Sequence, residues 1–228
     1  MDNREHGRSS NSQSAKIVRV QRAKARRPSN EVEVTLSNAS SFFVLSPIWA
    51  ATGLREGDEL NERQVEEITE RSTRQRIETT ALDLLARREH TRQQLIGKLA
   101  LRYREDDLCR AVVNDLAGRG LQSDERFADS WLRHRIVSHP ESRARLEADL
   151  RARGVAEATA RMVLDSVMEE EEIDDSVMIR RLLDKWYGRG RLSIRAWTGR
   201  LARLGFRRID VEREIDRFAE EEGMENDG

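Results

Sequence analysis

Residues 118–135 read GRGLQSDERFADSWLRHR. Gly118 and Gly120 close one helical segment, because glycine takes the left-handed backbone that ends a helix. Ser123 or Asp124 opens the next, and the acids at 124 and 125 suit the positive end of a helix. Phe127, Trp131 and Leu132 then fall at i, i+4 and i+5, the core face of an α-helix. Such a stretch is either a joint between two packed helical units or the turn and recognition helix of a DNA-binding motif. A three-helix unit can contain a helix-turn-helix, so the second reading stays open.

Outward from this joint, large apolar residues return at one fixed interval of 51 residues. Leu99, Leu150 and Leu201 form one column; Leu95, Leu146 and Trp197 another. Val113, Leu164 and Ile215, and Leu116, Val167 and Phe218, keep the same offset. So do Leu85, Ile136 and Tyr187, and Ala81, Leu132 and Leu183. Gly154 and Gly205 align as well, with Tyr103 in the first copy. A gap-free period of this length marks a helical repeat. Each copy divides into three short helices: 74–88, 91–103 and 105–118; 123–138, 141–153 and 156–169; 174–188, 192–204 and 207–220. Thr91 with Gln94 makes a capping box, Pro140 fits a first helical turn, and Ser193 is the matching cap of copy three. The expected organisation is repeat one over 73–122, repeat two over 123–173 and repeat three over 174–220. Neighbouring copies are expected to meet through limited interfaces, with EEEEIDD at 169–175 as a helix end or flexible linker between copies two and three.

Before the repeats the pattern changes. Residues 1–30 lack apolar periodicity and read as a disordered basic extension. EVEVTL (31–36), SNAS and SFFVL (41–45) read as a β-hairpin, followed by a loop at 53–60. NERQVEEITERS (61–72) reads as a short helix capped by Asn61. The fold class is therefore mainly α: three tandem three-helix repeats after a small N-terminal β-hairpin, loop and short helix (31–72), with an acidic tail at 221–228.

Of the 228 residues, 36% are charged and 5% aromatic, and the net charge is −1. That balance hides segregation: residues 1–30 carry +6, 169–175 carry −6 and the last ten carry −5, which leaves the body near +4. Long-range attraction to bare DNA is then modest and easily screened. A single cysteine, Cys109, allows no internal disulfide, the start is polar without a signal-peptide core, and no apolar run reaches membrane-spanning length. A cytoplasmic monomer is expected. His6, His90, His134 and His139 have no metal-ligand spacing, and no nucleotide loop or nucleophile elbow is present. GRGRL (188–192) reads as an inter-helix turn. A binding protein without cofactor or metal, not an enzyme, is the class that remains.

What could bind is arginine. Arg87 and Arg88 in copy one, Arg126, Arg133, Arg143 and Arg145 in copy two, and Arg191, Arg195 and Arg203 in copy three lie beside the core stripes. For any one of them a solvated helix face is the plain reading. Recurrence in three copies points to a basic surface for a phosphate backbone or an acidic protein groove. A direct DNA-binding protein and a general helical scaffold are the alternatives.

ALDLLARREHTRQQLIGKL (81–99), LAGRGLQSDERFADSWLRHR (116–135), LEADLRARGV (146–155) and RLARLGF (200–206) resemble the RecX family of bacterial recombinase regulators. The likeness covers about 73–218, with 31–60 similar to the family's N-terminal part. It implies an elongated, curved array of three-helix repeats that lies in the groove of the RecA filament on single-stranded DNA. It implies inhibition of filament growth, ATP hydrolysis, strand exchange and coprotease function, hence a place in recombination, DNA repair and the SOS response. Family members often carry a Gly/Lys-rich stretch where this chain has SHPESRAR (138–145), so contacts from that loop do not carry over.

Overall fold

The computed structural model describes residues 14–23, 30–188 and 194–223, apart from the side chains of 194 and 195. The chain forms two compact units, residues 1–80 and 81–228.

The first unit is built on an antiparallel sheet of four strands: β1 (Ala15–Arg22), β2 (Glu31–Leu36), β3 (Ser41–Leu45) and β4 (Glu59–Leu60). Their order is β3-β2-β1-β4. The expected hairpin is β2–β3, paired from Glu31↔Leu45 to Thr35↔Ser41. The expectation of disorder fails over 15–22, which is a strand. Ala15 and Ile17 point into the core, but the register shifts between Ile17 and Arg19. That irregularity breaks the apolar alternation a sequence pattern relies on. The other parts of the extension, 1–13 and 24–29, lie outside the described residues. A helix the sequence reading passed over, α1 (Ser46–Thr52), starts with Pro in its first turn and buries Trp49 edge-on to Phe42, centroids 6.4 Å apart.

Two helices were expected over 61–88, yet one continuous helix, α2 (Glu62–Leu85), takes their place. No glycine or proline lies within it, and the division between the two units falls inside it. Asn61 does cap it: Asn61 Oδ1 accepts from the Gln64 N–H and Gln64 Oε1 from the Asn61 N–H, both at 2.9 Å. Ile68 packs into the sheet's core, and the Ser72 hydroxyl accepts the Leu45 N–H at 2.9 Å.

The second unit is helical. Copy one contributes α3 (Arg92–Tyr103) and α4 (Asp106–Gly118). Copy two is α5 (Asp124–Ser138), α6 (Arg143–Ala152) and α7 (Glu157–Glu170). Copy three is α8 (Asp175–Tyr187), α9 (Ile194–Arg203) and α10 (Arg208–Glu221). The columns at 81, 95, 99, 113 and 116 are buried in all three copies; in the column at 85 only Ile136 is, while Leu85 and Tyr187 are half-buried. Pro140 lies in the connection before α6, not in its first turn. Ser142 is the cap, its hydroxyl accepting from the Arg145 N–H at 3.2 Å. The acidic run is a helix end: α7 stops at Glu170, Glu172 takes a left-handed φ of 51°, Ile173 is buried and Asp174 caps α8. The buried side chains of copies two and three form one continuous cluster, not two small cores.

The joints repeat too. The Thr91 hydroxyl, which caps α3, donates to the Arg153 carbonyl at 2.7 Å, and the Arg92 N–H donates to Asp124 Oδ1 at 2.7 Å. Fifty-one residues on, the Ser142 N–H donates to the Leu204 carbonyl at 3.1 Å, and the Arg143 N–H to Asp175 Oδ1 at 2.8 Å. The middle helices of copies one and two thus each start against the end of the next copy's middle helix, and a carboxylate from that copy satisfies a free N–H of the first turn. Gly154 and Gly205 sit at this contact with φ of +91° and +89°.

Candidate functional site

The opening stretch is a joint followed by a core helix. The Ser123 hydroxyl caps α5, accepting the Arg126 N–H at 3.2 Å. Gln122 ties the joint by donating to the His90 carbonyl at 3.1 Å. Phe127, Ala128, Leu132 and Ile136 bury the inner face.

Most of the arginines picked from the sequence are bound within the molecule. Arg126 Nε donates to Glu89 at 2.8 Å, and its outer nitrogens donate to the carbonyls of Gly120 and Leu121. Arg133 bridges Asp129, Glu170 and Glu171; Glu170 and Asp129 raise its guanidinium pKa further, and hydrogen bonds from Arg133 and Ser166 keep Glu170 below the ordinary carboxylate range. Arg143 pairs with Asp165 and reaches the Met168 sulfur, while Arg145 lies 3.7 Å from Asp149. Arg203 donates to the Gly199 carbonyl of its own helix at 3.1 Å. Arg191 and the side chain of Arg195 lie outside the described residues.

Arg87 and Arg88 differ. Both are exposed in the turn after α2, and among the described residues neither side chain has a bonded partner. Lys98 and Arg104 are equally exposed and line a shallow hollow of about 750 Å³ with Gly97 and Leu101, the latter 86% exposed. Arg102 lies on the same helix, over the Tyr103 ring at 5.6 Å. Arg88 and Lys98 both act on His90, whose imidazole is pushed below its ordinary value by burial and by these two charges. Copy one thus carries open cations, with Asp106 beside them in the hollow; Arg181 and Lys185 of α8 are exposed in the same way. The hollow of about 820 Å³ between α5 and α7 is the opposite: Glu89, Glu125, Asp129 and Glu170 line it with Met162 and Val163. Phosphate is repelled there, which argues against α5 as a recognition helix.

A third surface was not singled out from the sequence. On α10, Asp210 and Glu214 are buried carboxylates. Asp210 accepts from Arg207 at 2.7 Å and Arg213 at 3.0 Å; Glu214 accepts from Arg213 and Arg217, both at 3.4 Å. The alternating signs of RRIDVEREIDR (207–217) are visible in the sequence. That Asp210 and Glu214 are buried while Glu212 and Asp216 stay exposed is not.

Among the described residues no cluster of His, Cys, Asp and Glu is placed to hold a metal, and burial with the charges of Asp106 and Glu105 pushes the Cys109 thiol up. Among the described residues no helix is long and apolar enough to cross a membrane.

Comparison with known proteins places the chain. Residues 123–164 match the profile of the second three-helix domain of RecX. A regulatory protein RecX of Thermobifida fusca is 32% identical over 154 residues, spanning 67% of this chain and 83% of that protein. That of Halorhodospira halophila is 38% identical over 114 residues, 50% of this chain and 68% of the relative. That of Treponema pallidum is 41% identical over 113 residues, with the same shares. A crystal structure of a regulatory protein RecX superposes with a TM-score of 0.63 at 21% identity, over 89% of this chain and 99% of that one, and shares its fold. With relatives of this identity and coverage, the chain belongs to the RecX family of regulatory proteins.

Proposed function

We propose that the protein binds the RecA filament on single-stranded DNA and inhibits filament growth, ATP hydrolysis, strand exchange and coprotease activity. It acts in the cytoplasm as a monomer, by binding and without catalysis of its own. Membership of a family of regulatory proteins carries this reading. The surface supports it: copy one offers unpaired cations beside an exposed leucine, while copy two offers an acidic, partly apolar hollow. A partner built of both protein and polyanion can use both faces; a bare duplex can use one. Along this reading Arg87 and Arg88 are contact residues, Arg126 ties copy two to copy one, and Arg133, Arg143 and Arg145 chiefly hold copy two together.

Co-sedimentation tests it. The protein should pellet with recombinase filaments assembled on an oligo(dT) strand, and far less with either component alone. Equal retention by naked duplex DNA would instead favour a direct DNA-binding protein.

A further inference from the structure

The side chains that line the hollow between α5 and α7 do not recur with the repeat. Fifty-one residues on, Ser130, Met162 and Ser166 give way to Arg181, Arg213 and Arg217. In copy three the chain's own arginines bridge the matching helices: Arg180 of α8 pairs with Glu221 of α10, and Arg213 of α10 donates to the Ser176 hydroxyl of α8 at 3.2 Å. In copy two the space stays open, about 820 Å³. Ser130 and Ser166 are too short to fill it, and Met162 lies 52% exposed beside the buried Val163. Four carboxylates surround this apolar floor against one guanidinium, that of Arg126. Arg133 holds Asp129 and Glu170. Glu125 is exposed and has no bonded partner among the described residues. Glu89 spends only Oε1 on Arg126; its Oε2 is buried and accepts no hydrogen bond among the described residues. A carboxylate oxygen buried without a donor is costly and favours an incoming cation.

We propose that this hollow docks a basic, apolar segment of a protein partner. An aliphatic side chain of the segment covers Met162 and Val163, and flanking lysine or arginine reaches Glu125 and Glu89 Oε2. The inference rests on the proposed function only for the owner of the segment, a recombinase subunit. Copy three shows the chemistry that suits such a groove, since cationic side chains of the chain itself span it. A cation alone would meet the acids and leave the apolar floor wet; an apolar segment alone would leave Glu89 Oε2 without a donor. Methionine is unbranched and adapts to different aliphatic partners, and the two serines leave room for a peptide backbone.

A synthetic peptide, Gly-Lys-Leu-Lys-Lys-Leu-Lys-Gly, tests the hollow without a recombinase, against the same peptide with serine for leucine. The leucine peptide should bind the full chain about tenfold tighter than the serine one, because only it buries the floor. With methyl-labelled methionine, the Met162 signal should move on titration and that of the fully buried Met178 should not. Glu125→Lys/Met162→Gln changes two exposed side chains and should abolish the leucine preference at an unchanged urea midpoint. Where that midpoint falls, Ser130→Arg takes its place: it sets in copy two the residue type of copy three and should block the peptide. Equal binding of the two peptides, or an unmoved Met162 signal, overturns the proposal and leaves the proposed function standing. Co-sedimentation with recombinase filaments then tests the owner: the double variant should need about tenfold more protein for equal retention, and retention equal to wild type overturns the proposal. Wild-type protein that fails to pellet at all contradicts the proposed function instead, and the peptide arm still decides the hollow.

Discussion

His90 is buried between α2 and α3, and the Arg88 and Lys98 charges add to the cost of protonating it. The unfolded chain takes up this proton near pH 6.5, while the folded chain does so only at lower pH. More protons bound in the unfolded state means stability rises with pH. The contribution is present above the ordinary imidazole range and is lost as pH falls below it. The urea midpoint of the wild type should drop between about pH 7.5 and about 5.5 by more than that of His90→Gln. Parallel drops would show that His90 is not the group responsible. At this scale the sequence is only half legible. The core columns can be read from period alone, because burial repeats with the helix. The state of an arginine cannot: Arg126 and Arg88 look alike in sequence, but one meets Glu89 and two carbonyls while the other points into solvent.

Among the elements, caps are the most legible feature and continuity the least. Asn61, Thr91 and Ser123 each cap the helix their sequence context names. Pro140 misleads, because Ser142 and its bond to Leu204 set the start of α6 from the neighbouring copy. The α2 region misleads the other way, since no glycine or proline stops the helix where a break was expected. The joints explain why glycine recurs at 154 and 205. An added Cβ would lie 2.6 Å from Gln93 Cβ at the first and 2.7 Å from Ser142 Oγ at the second, on backbone that already disfavours a side chain. Gly154→Ala and Gly205→Ala should each cost about 1–3 kcal/mol in urea unfolding. Gly118→Ala, which meets nothing within 4 Å, should change stability by less than about 0.5 kcal/mol. Equal effects at all three positions would contradict the joint as described.

Over the whole chain the 51-residue period organises core, caps and joints alike, and copy one departs from it where a terminal copy would. Its middle helix is longer, 12 residues against 10 in α6, and ends on a left-handed Arg104 in place of glycine. No earlier copy has to be seated there, so the close approach that demands glycine is absent, and the cations around Lys98 stay open. On the proposed function, these open cations make copy one the surface to test first. The rate of ATP hydrolysis by a recombinase on single-stranded DNA tests the central claim most directly. Wild-type protein should suppress that rate, and Arg88→Glu/Lys98→Glu, with an unchanged unfolding midpoint, should need about tenfold more protein for the same suppression. A rate that stays constant as wild-type protein is added in excess would contradict the account.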